Sequence, residues 1–184
     1  MSVKDEIRYK LKIKRKYFCG VRREFADGAI LDNFLNAFLR YESFFVYNSF
    51  STEADTKGII AALLGAGKKV YLPRVDGDKM VAVPYGETSV GAFGISEPAG
   101  KPYNGNIDVT VIPLLAVNGR GFRIGYGKGF YDRYLRDKRT LKVGLGYGFQ
   151  QEEFEGEAHD IPLDLFLCEK GISFYADVRG AVEL

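Results

Sequence analysis

Apolar positions in the first forty residues recur three or four apart, and beyond residue 43 the period shortens to runs and alternations. Ile7, Leu11, Ile13 and Phe18 form a stripe between many Lys and Arg, which predicts an amphipathic helix. Ser2 is placed to cap it, with Asp5 and Glu6 near the positive end of its dipole. A second helix is predicted from about Asp27 to Arg40, with Ile30, Leu31, Phe34, Leu35, Phe38 and Leu39 inward. "SFFVYNSF" (43–50) reads as a buried strand. Asp55 or Thr56 then caps a helix through Ile59, Ile60, Leu63 and Leu64, and Gly65 or Gly67 ends it. "KKVYLPRV" (68–75) is the next strand, and strand–helix–strand order implies a right-handed parallel crossover. "KMVAVPY" (79–85) pairs back through the Asp76-Gly77-Asp78 turn.

The segment from Gly86 to Gly105 is rich in Gly and Pro and is expected to loop over the surface. "IDVTVIPLLAV" (107–117) is the most apolar run and predicts a central strand. A short helix over 129–136 follows, then strands in "TLKVGLGYG" and "DLFLCEKG". The expected fold is α/β: a three-layer α/β/α arrangement, with a mostly parallel Rossmann-like sheet and helices on both faces. No internal repeat or boundary divides the chain, so residues 1–184 are expected to form one domain.

Composition narrows the function classes. Hydrophobic residues make up 46% and charged residues 27%, as in ordinary globular proteins, and the net charge of +2 lacks the basic excess of a nucleic-acid binder. Cys19 and Cys168 show no CxxC spacing and are expected to be reduced, buried thiols. The N-terminal segment is charged throughout, unlike a secretory signal, and no apolar run reaches membrane-spanning length. A cytoplasmic location is expected.

The chemistry concentrates in "NGRGFRIGYGKGFYDRYL" (118–135). Gly119, Gly121, Gly125, Gly127 and Gly129 free backbone N–H groups for close approach, and Arg120, Arg123 and Lys128 add full positive charge. The loop leaves a central strand and opens a helix, the place where open α/β sheets bind ligands and where helix N–H groups favour anions. These residues suit phosphate. No GxxxxGK[ST] motif is present, and "GYGKGF" matches the dinucleotide fingerprint only in part. The plainer reading, a solvated glycine-rich connection, leaves Tyr126, Phe130 and Tyr131 without a role. Asp132, one turn into the helix, either holds a Mg²⁺ that bridges phosphate oxygens or pairs with Arg133 or Arg136.

The run Arg123-Ile124-Gly125-Tyr126-Gly127-Lys128-Gly129-Phe130-Tyr131-Asp132-Arg133 resembles the signature of the 5-formyltetrahydrofolate cyclo-ligases, also called 5,10-methenyltetrahydrofolate synthetases, of the form R-[LI]-G-x-G-x-G-[YF]-Y-D-R. Supporting segments occur in family order: Lys4 and Arg8, "SFSTEADT", "YLPRV", "GAFGISEP" and "HDIPLD". The resemblance spans nearly the whole chain. It implies an ATP- and Mg²⁺-dependent enzyme. ATP phosphorylates the formyl oxygen of 5-formyltetrahydrofolate, the N10 amine closes onto the activated carbon, and 5,10-methenyltetrahydrofolate, ADP and phosphate are released. Phosphoryl transfer of this kind needs positioning and charge neutralisation more than a protein nucleophile.

The resemblance also assigns residues. Lys4 and Arg8 reach the ATP phosphates, and Arg123, Ile124, Gly125, Tyr126, Gly127, Lys128, Gly129, Phe130 and Tyr131 form the ATP loop. Arg123 and Lys128 act on the transferring phosphate, and Tyr131 touches the folate as well. Asp132 and Asp160 bind Mg²⁺. Glu53 contacts the folate, with a carboxylate's match to adjacent N–H donors, and Asn48 falls on a second folate position. Arg74 is a further phosphate or glutamyl-tail candidate. Taken alone, Lys4 and Arg8 read equally as a solvated basic face, Asp160 as a loop cap and Glu53 as an exposed acid. Three departures stand out: Leu114 where many relatives have Gly, Asn118 where many have Asp, and Phe130 where many have Tyr. A changed turn or a weaker outer contact to metal is expected at Asn118. The expected partner is the small-molecule folate, polyglutamylated or not, bound by a monomer without nucleic acid or membrane. Two other readings remain open: a non-catalytic nucleotide- or RNA-binding relative of the same fold, and a sugar-phosphate isomerase or transferase.

Overall fold

Seven strands of the chain form one sheet, seen in a computed structural model that describes residues 2–86, 88–90 and 96–176. Its strands are β1 (Ser43–Val46), β2 (Lys69–Asp76), β3 (Lys79–Pro84), β6 (Val109–Pro113), β9 (Leu141–Leu145), β10 (Leu165–Cys168) and β11 (Gly171–Phe174). Two small ribbons lie outside it: β4 (Thr88–Val90) with β5 (Ser96–Pro98), and β7 (Ala116–Val117) with β8 (Arg123–Ile124). The helices are α1 (Val3–Tyr17), α2 (Val21–Phe38), α3 (Lys57–Gly65) and α4 (Phe130–Leu135).

The sheet order is β11-β10-β9-β6-β1-β2-β3. Neighbours from β10 to β2 pair in parallel, and the two edge strands, β11 and β3, are antiparallel. Both faces of the parallel strands are covered, which is why they read as continuous apolar runs rather than alternations. Alternate residues split between the faces. Phe44, Val46, Val70, Leu72, Val109 and Val111 meet Ile30, Phe34 and Phe38 of α2 and Ile59 and Leu63 of α3. Phe45 and Tyr71 point the other way, toward Phe130, Tyr131 and Tyr134 around α4. Helices therefore sit on both faces, as expected, but the α4 face carries a single helix of six residues.

Several boundaries differ from the sequence reading. The second helix begins at Val21, because Gly20 at φ +62 allows a sharp restart directly after α1. The apolar run 107–117 breaks after Pro113, and its end turns out of the sheet to pair with β8. Strand β11 had no expectation, the β4–β5 ribbon stands within the 86–105 segment expected to be a loop, and the first five residues of "GAFGISEP" lie outside the described residues. In α1 the inward stripe is Ile7, Leu11 and Arg15, whereas Ile13 faces solvent. Cys168 is buried as expected, but Cys19 is exposed.

The chain runs from β1 to β2 on one side and later returns to β6 on the other. The β1–β6 boundary is thus the point where connections leave in opposite directions. In open α/β sheets the crevice outside the carboxyl ends of such strands binds ligands.

Candidate active site

A cavity of about 840 Å³ opens at that crevice. The loop after β1 supplies Asn48 and Glu53, and the connection after β6 supplies Arg123 through Asp132. Helix α1 closes a third side with Lys4, Arg8, Lys12 and Arg15, spaced so that one helical face carries all four. Glu157, His159 and Asp160 complete the rim. Lys4, Arg8, Asn48, Glu53, the 123–132 run and Asp160, all expected at the site, line this one cavity.

Ser2 caps α1 as expected: its hydroxyl accepts from the Asp5 amide, and the Asp5 carboxylate accepts in return. That fixes the turn carrying Lys4. The Lys4 ammonium donates to Glu157 Oε1 at 2.7 Å and to Asp160 Oδ2 at 3.0 Å. Burial pulls the Lys4 pKa down, but the two carboxylates outweigh it and leave it raised. For Asp160 burial acts upward, yet bonds from the Glu157 amide and Lys4 hold the carboxyl below its usual range. Arg8 donates to the Gly125 carbonyl at 3.1 Å and pairs with Asp5 at 2.6 Å, so α1 touches the glycine loop directly.

Within the loop, Gly127 and Gly129 have φ of +89° and +65°, conformations that side-chain-bearing residues rarely adopt. Gly129 caps α4, whose six residues offer the free N–H groups of one turn rather than a long dipole. Arg123 is buried. It donates to the Ile161 carbonyl at 2.7 Å and to Asp132 Oδ1 at 2.8 Å, and the same oxygen accepts from the Ile161 amide. Arg123 therefore resolves the choice of partner at Asp132: the ion pair is with Arg123, not with Arg133 or Arg136. Lys128 lines the cavity without a hydrogen bond or ion pair among the described residues. Tyr131 lies inward among Phe45 and Tyr134, and burial, with Glu53 nearby, pushes its hydroxyl pKa well up.

Asp132 and Asp160 flank the Ile161 peptide. In each, one carboxylate oxygen carries the hydrogen bonds to protein donors, Asp132 Oδ1 and Asp160 Oδ2, and the other accepts none among the described residues. No group of three His, Cys, Asp or Glu among the described residues can hold a metal by itself. That donor set fits Mg²⁺, which takes one or two carboxylates and completes its shell with water and phosphate oxygens.

The Glu53 wall is held from behind. Arg23 of α2 donates to the Glu53 carbonyl at 2.9 Å and to the Tyr147 hydroxyl at 3.1 Å, and Tyr147 donates to Asp27. Asp27 also accepts from the Asp55 amide. On the cleft side, Glu53 Oε2 accepts from the Phe50 amide, and Oε1 accepts from the Tyr126 hydroxyl at 2.8 Å. Ser51, inside this turn, has φ of +55°, a strained value for a residue other than Gly, Asn or Asp.

Some expected residues lie elsewhere. Arg120 pairs with Glu155 outside the cleft, and Arg74 bonds Asp76 and the carbonyls of Pro98 and Gly100. Asn118 is buried, with its amide donating to the Phe154 carbonyl and its oxygen accepting from the Arg120 and Phe122 amides. It organises the 118–122 turn, and an ionised Asp there could accept from the two amides but not donate to Phe154. Arg15 is absent from the sequence expectations although it lines the cleft. Its signal was available: Ile7 and Leu11 extend by four to a position where a third apolar residue belongs and a cation stands.

The carboxylates, cations and glycine turn gather at the β1–β6 crevice of an α/β protein, an arrangement that suits a phosphate-bearing ligand. A family model described as the 5-formyltetrahydrofolate cyclo-ligase family matches residues 1–169. The 5-formyltetrahydrofolate cyclo-ligase of Haemophilus influenzae is 30% identical, over 87% of this chain and 94% of that one. That of Mycoplasma genitalium is 51% identical over a shorter stretch, 34% of this chain and 39% of that protein. The NMR structure of Aquifex aeolicus 5,10-methenyltetrahydrofolate synthetase superposes with a TM-score of 0.85 at 31% identity, covering 97% of this chain and 95% of that one. The chain belongs to the 5-formyltetrahydrofolate cyclo-ligase family.

Proposed function

We propose that this protein converts 5-formyltetrahydrofolate to 5,10-methenyltetrahydrofolate at the expense of ATP, releasing ADP and phosphate. The observation that carries the reading is the convergence of the 123–132 loop, Lys4, Arg8, Asp132, Asp160, Asn48 and Glu53 on one cavity at the β1–β6 crevice. In this reading residues 1–184 act as one domain and as a monomer in the cytoplasm. Among the described residues no helix is long and apolar enough to cross a membrane.

The glycine loop and the α1 cations hold the triphosphate. Lys128, uncommitted to any partner among the described residues, and Arg123 neutralise charge on the transferring phosphoryl group, the main requirement of this chemistry. Asp132 and Asp160 would hold Mg²⁺ through the carboxylate oxygens that Arg123 and Lys4 do not bond, and the ion would supply charge compensation at the phosphates. Glu53 and Asn48 orient the folate ring so that the formyl oxygen faces the γ-phosphate. Phosphoryl transfer to that oxygen makes it a leaving group. The N10 lone pair then forms the new C–N bond, N10 loses its proton, and the C–O bond breaks with departure of phosphate. Tyr131, kept neutral, closes the apolar side of the cleft and excludes water. Retention of the full cationic and acidic set favours this reading over a non-catalytic relative.

The test is direct: purified protein, 5-formyltetrahydrofolate, Mg²⁺ and ATP, followed by absorbance of the methenyl product. Product is expected only when ATP is present. No product, or product without ATP, would overturn the assignment.

A further inference from the structure

The two substrates of the proposed reaction are recognised by different pieces of chain. The glycine loop follows β6, and the Glu53 turn follows β1. Arg15 and Tyr126 join them. Arg15, 5% exposed, extends from α1 between the two loops. Its Nε and Nη2 donate to Thr52 Oγ1 at 3.1 and 3.0 Å, on the Glu53 turn. Its Nη2 also donates to the Tyr126 hydroxyl at 2.8 Å, on the glycine loop, and Nη1 reaches the Leu114 carbonyl at 3.4 Å, between β6 and β7. The Tyr126 hydroxyl, having accepted from Arg15, donates in turn to Glu53 Oε1 at 2.8 Å.

This relay has a fixed direction. Arg is always a donor and a carboxylate only accepts, so the hydroxyl between them must accept from one and donate to the other. Tyr126 is half-exposed as a whole residue, yet desolvation of its hydroxyl, with Glu53 beside it, pushes its pKa up to about 12, so the donor proton stays in place at neutral pH. Glu53 then has one oxygen held by its own turn, through the Phe50 amide, and the other by the glycine loop. Each carboxylate oxygen keeps a further lone pair for a ligand.

We propose that Arg15 is a positioning residue which, through Tyr126, locks the folate-recognising carboxylate Glu53 to the nucleotide loop, so that a triphosphate fixing that loop raises affinity for the folate. The inference rests on the functional reading above. A loop free to move takes the Tyr126 hydroxyl away from Glu53 and loosens the acceptor, whereas a loop pinned by phosphates presents the acceptor already oriented. By linkage the folate must raise affinity for the nucleotide by the same factor.

The test is a calorimetric titration of 5-formyltetrahydrofolate into the whole protein, with Mg²⁺, with and without a non-hydrolysable ATP analogue. The unmodified protein is expected to bind folate about fivefold or more tightly when the analogue is present. Tyr126→Phe removes only the hydroxyl and is expected to bring that ratio close to one, weakening folate binding in the ternary complex by about fivefold. Arg15→Gln is expected to do the same, and Arg15→Lys, which restores one donor but not the fork, to recover part of the ratio. A purely structural role for Arg15 would lower the melting temperature and leave the ratio intact. If Arg15→Gln does not fold, Tyr126→Phe decides alone. Unchanged coupling in Tyr126→Phe, or no coupling in the unmodified protein, overturns the proposal. Failure of the unmodified protein to bind folate at all instead overturns the functional reading.

Discussion

The two ends of strands β1 and β6 live in different chemistries. Along their length, Phe44, Val46, Val109 and Val111 pack on α2 and α3 in a core built from aliphatic and aromatic side chains. Just past their carboxyl ends, charged Arg15 and Arg123 are buried among polar partners, and each forms at least two hydrogen bonds to the protein. Fully burying a large apolar side chain contributes roughly 1.5–3 kcal/mol, while buried charges at best break even against their desolvation. The contrast teaches that the helix-covered face holds the fold together and the carboxyl edge spends part of that stability on a shaped polar cleft.

The contrast can be broken from either side. Phe34, fully buried and in ring contact with Phe38 and Phe44, is expected to lose about 3–5 kcal/mol of stability on substitution Phe34→Ala. Denaturant unfolding reads this, and turnover per folded molecule should hold at wild-type level. A fall in turnover at full folding would show that the core reaches into the chemistry. Lys128→Ala is the mirror experiment. The ammonium has no partner to strand among the described residues, so stability should stay within about 0.5 kcal/mol. The methenyl-forming rate should drop roughly 100- to 1,000-fold, about 3–4 kcal/mol of barrier. A wild-type rate would remove Lys128 from the machinery.

Smaller effects sharpen the boundary. Ser2→Ala deletes the α1 cap and should cost about 1 kcal/mol in unfolding free energy. Because that turn carries Lys4, the Michaelis constant for ATP should rise with it, and a rise in neither quantity would detach α1 from the site. The smallest effect is in pH. Asp160 has a folded pKa below its ordinary 3.8, so its stabilisation is present above that value and lost as pH falls through the folded one. Lys4 has a folded pKa above 10.5, so its contribution is present below that value and lost as pH rises through the folded one. Melting temperature against pH should show a plateau between, and Asp160→Asn should flatten its acid side. An unchanged acid limb would mean the Lys4–Asp160 bridge adds nothing to the fold.

The core and the glycine loop were legible in the sequence because each follows a local rule. Period-four positions such as Ile30, Phe34 and Phe38 fixed α2, and the run Val109 to Pro113 fixed the middle of the sheet. What escaped depended on distant partners. The break after Pro113 follows from pairing with β8, and the edge place of β11 from pairing with β10, neither of which its own residues announce. Arg15 reads locally as one more cation in a basic helix, and only Thr52 and Tyr126 make it a bridge. Arg120 erred the opposite way: it sits among the loop's cations yet turns out to Glu155.

The bond from Lys4 to Asp160 spans 156 residues. A ribosome adding about 5–20 residues per second needs on the order of ten seconds or more to supply the second partner after the first. Throughout that interval Arg8 and Arg15 of the same helix can already find Asp5 and Thr52, whereas Lys4 waits for its carboxylate. The Lys4 corner of the proposed site therefore cannot close until Asp160 has been made, long after the residues of α1 themselves.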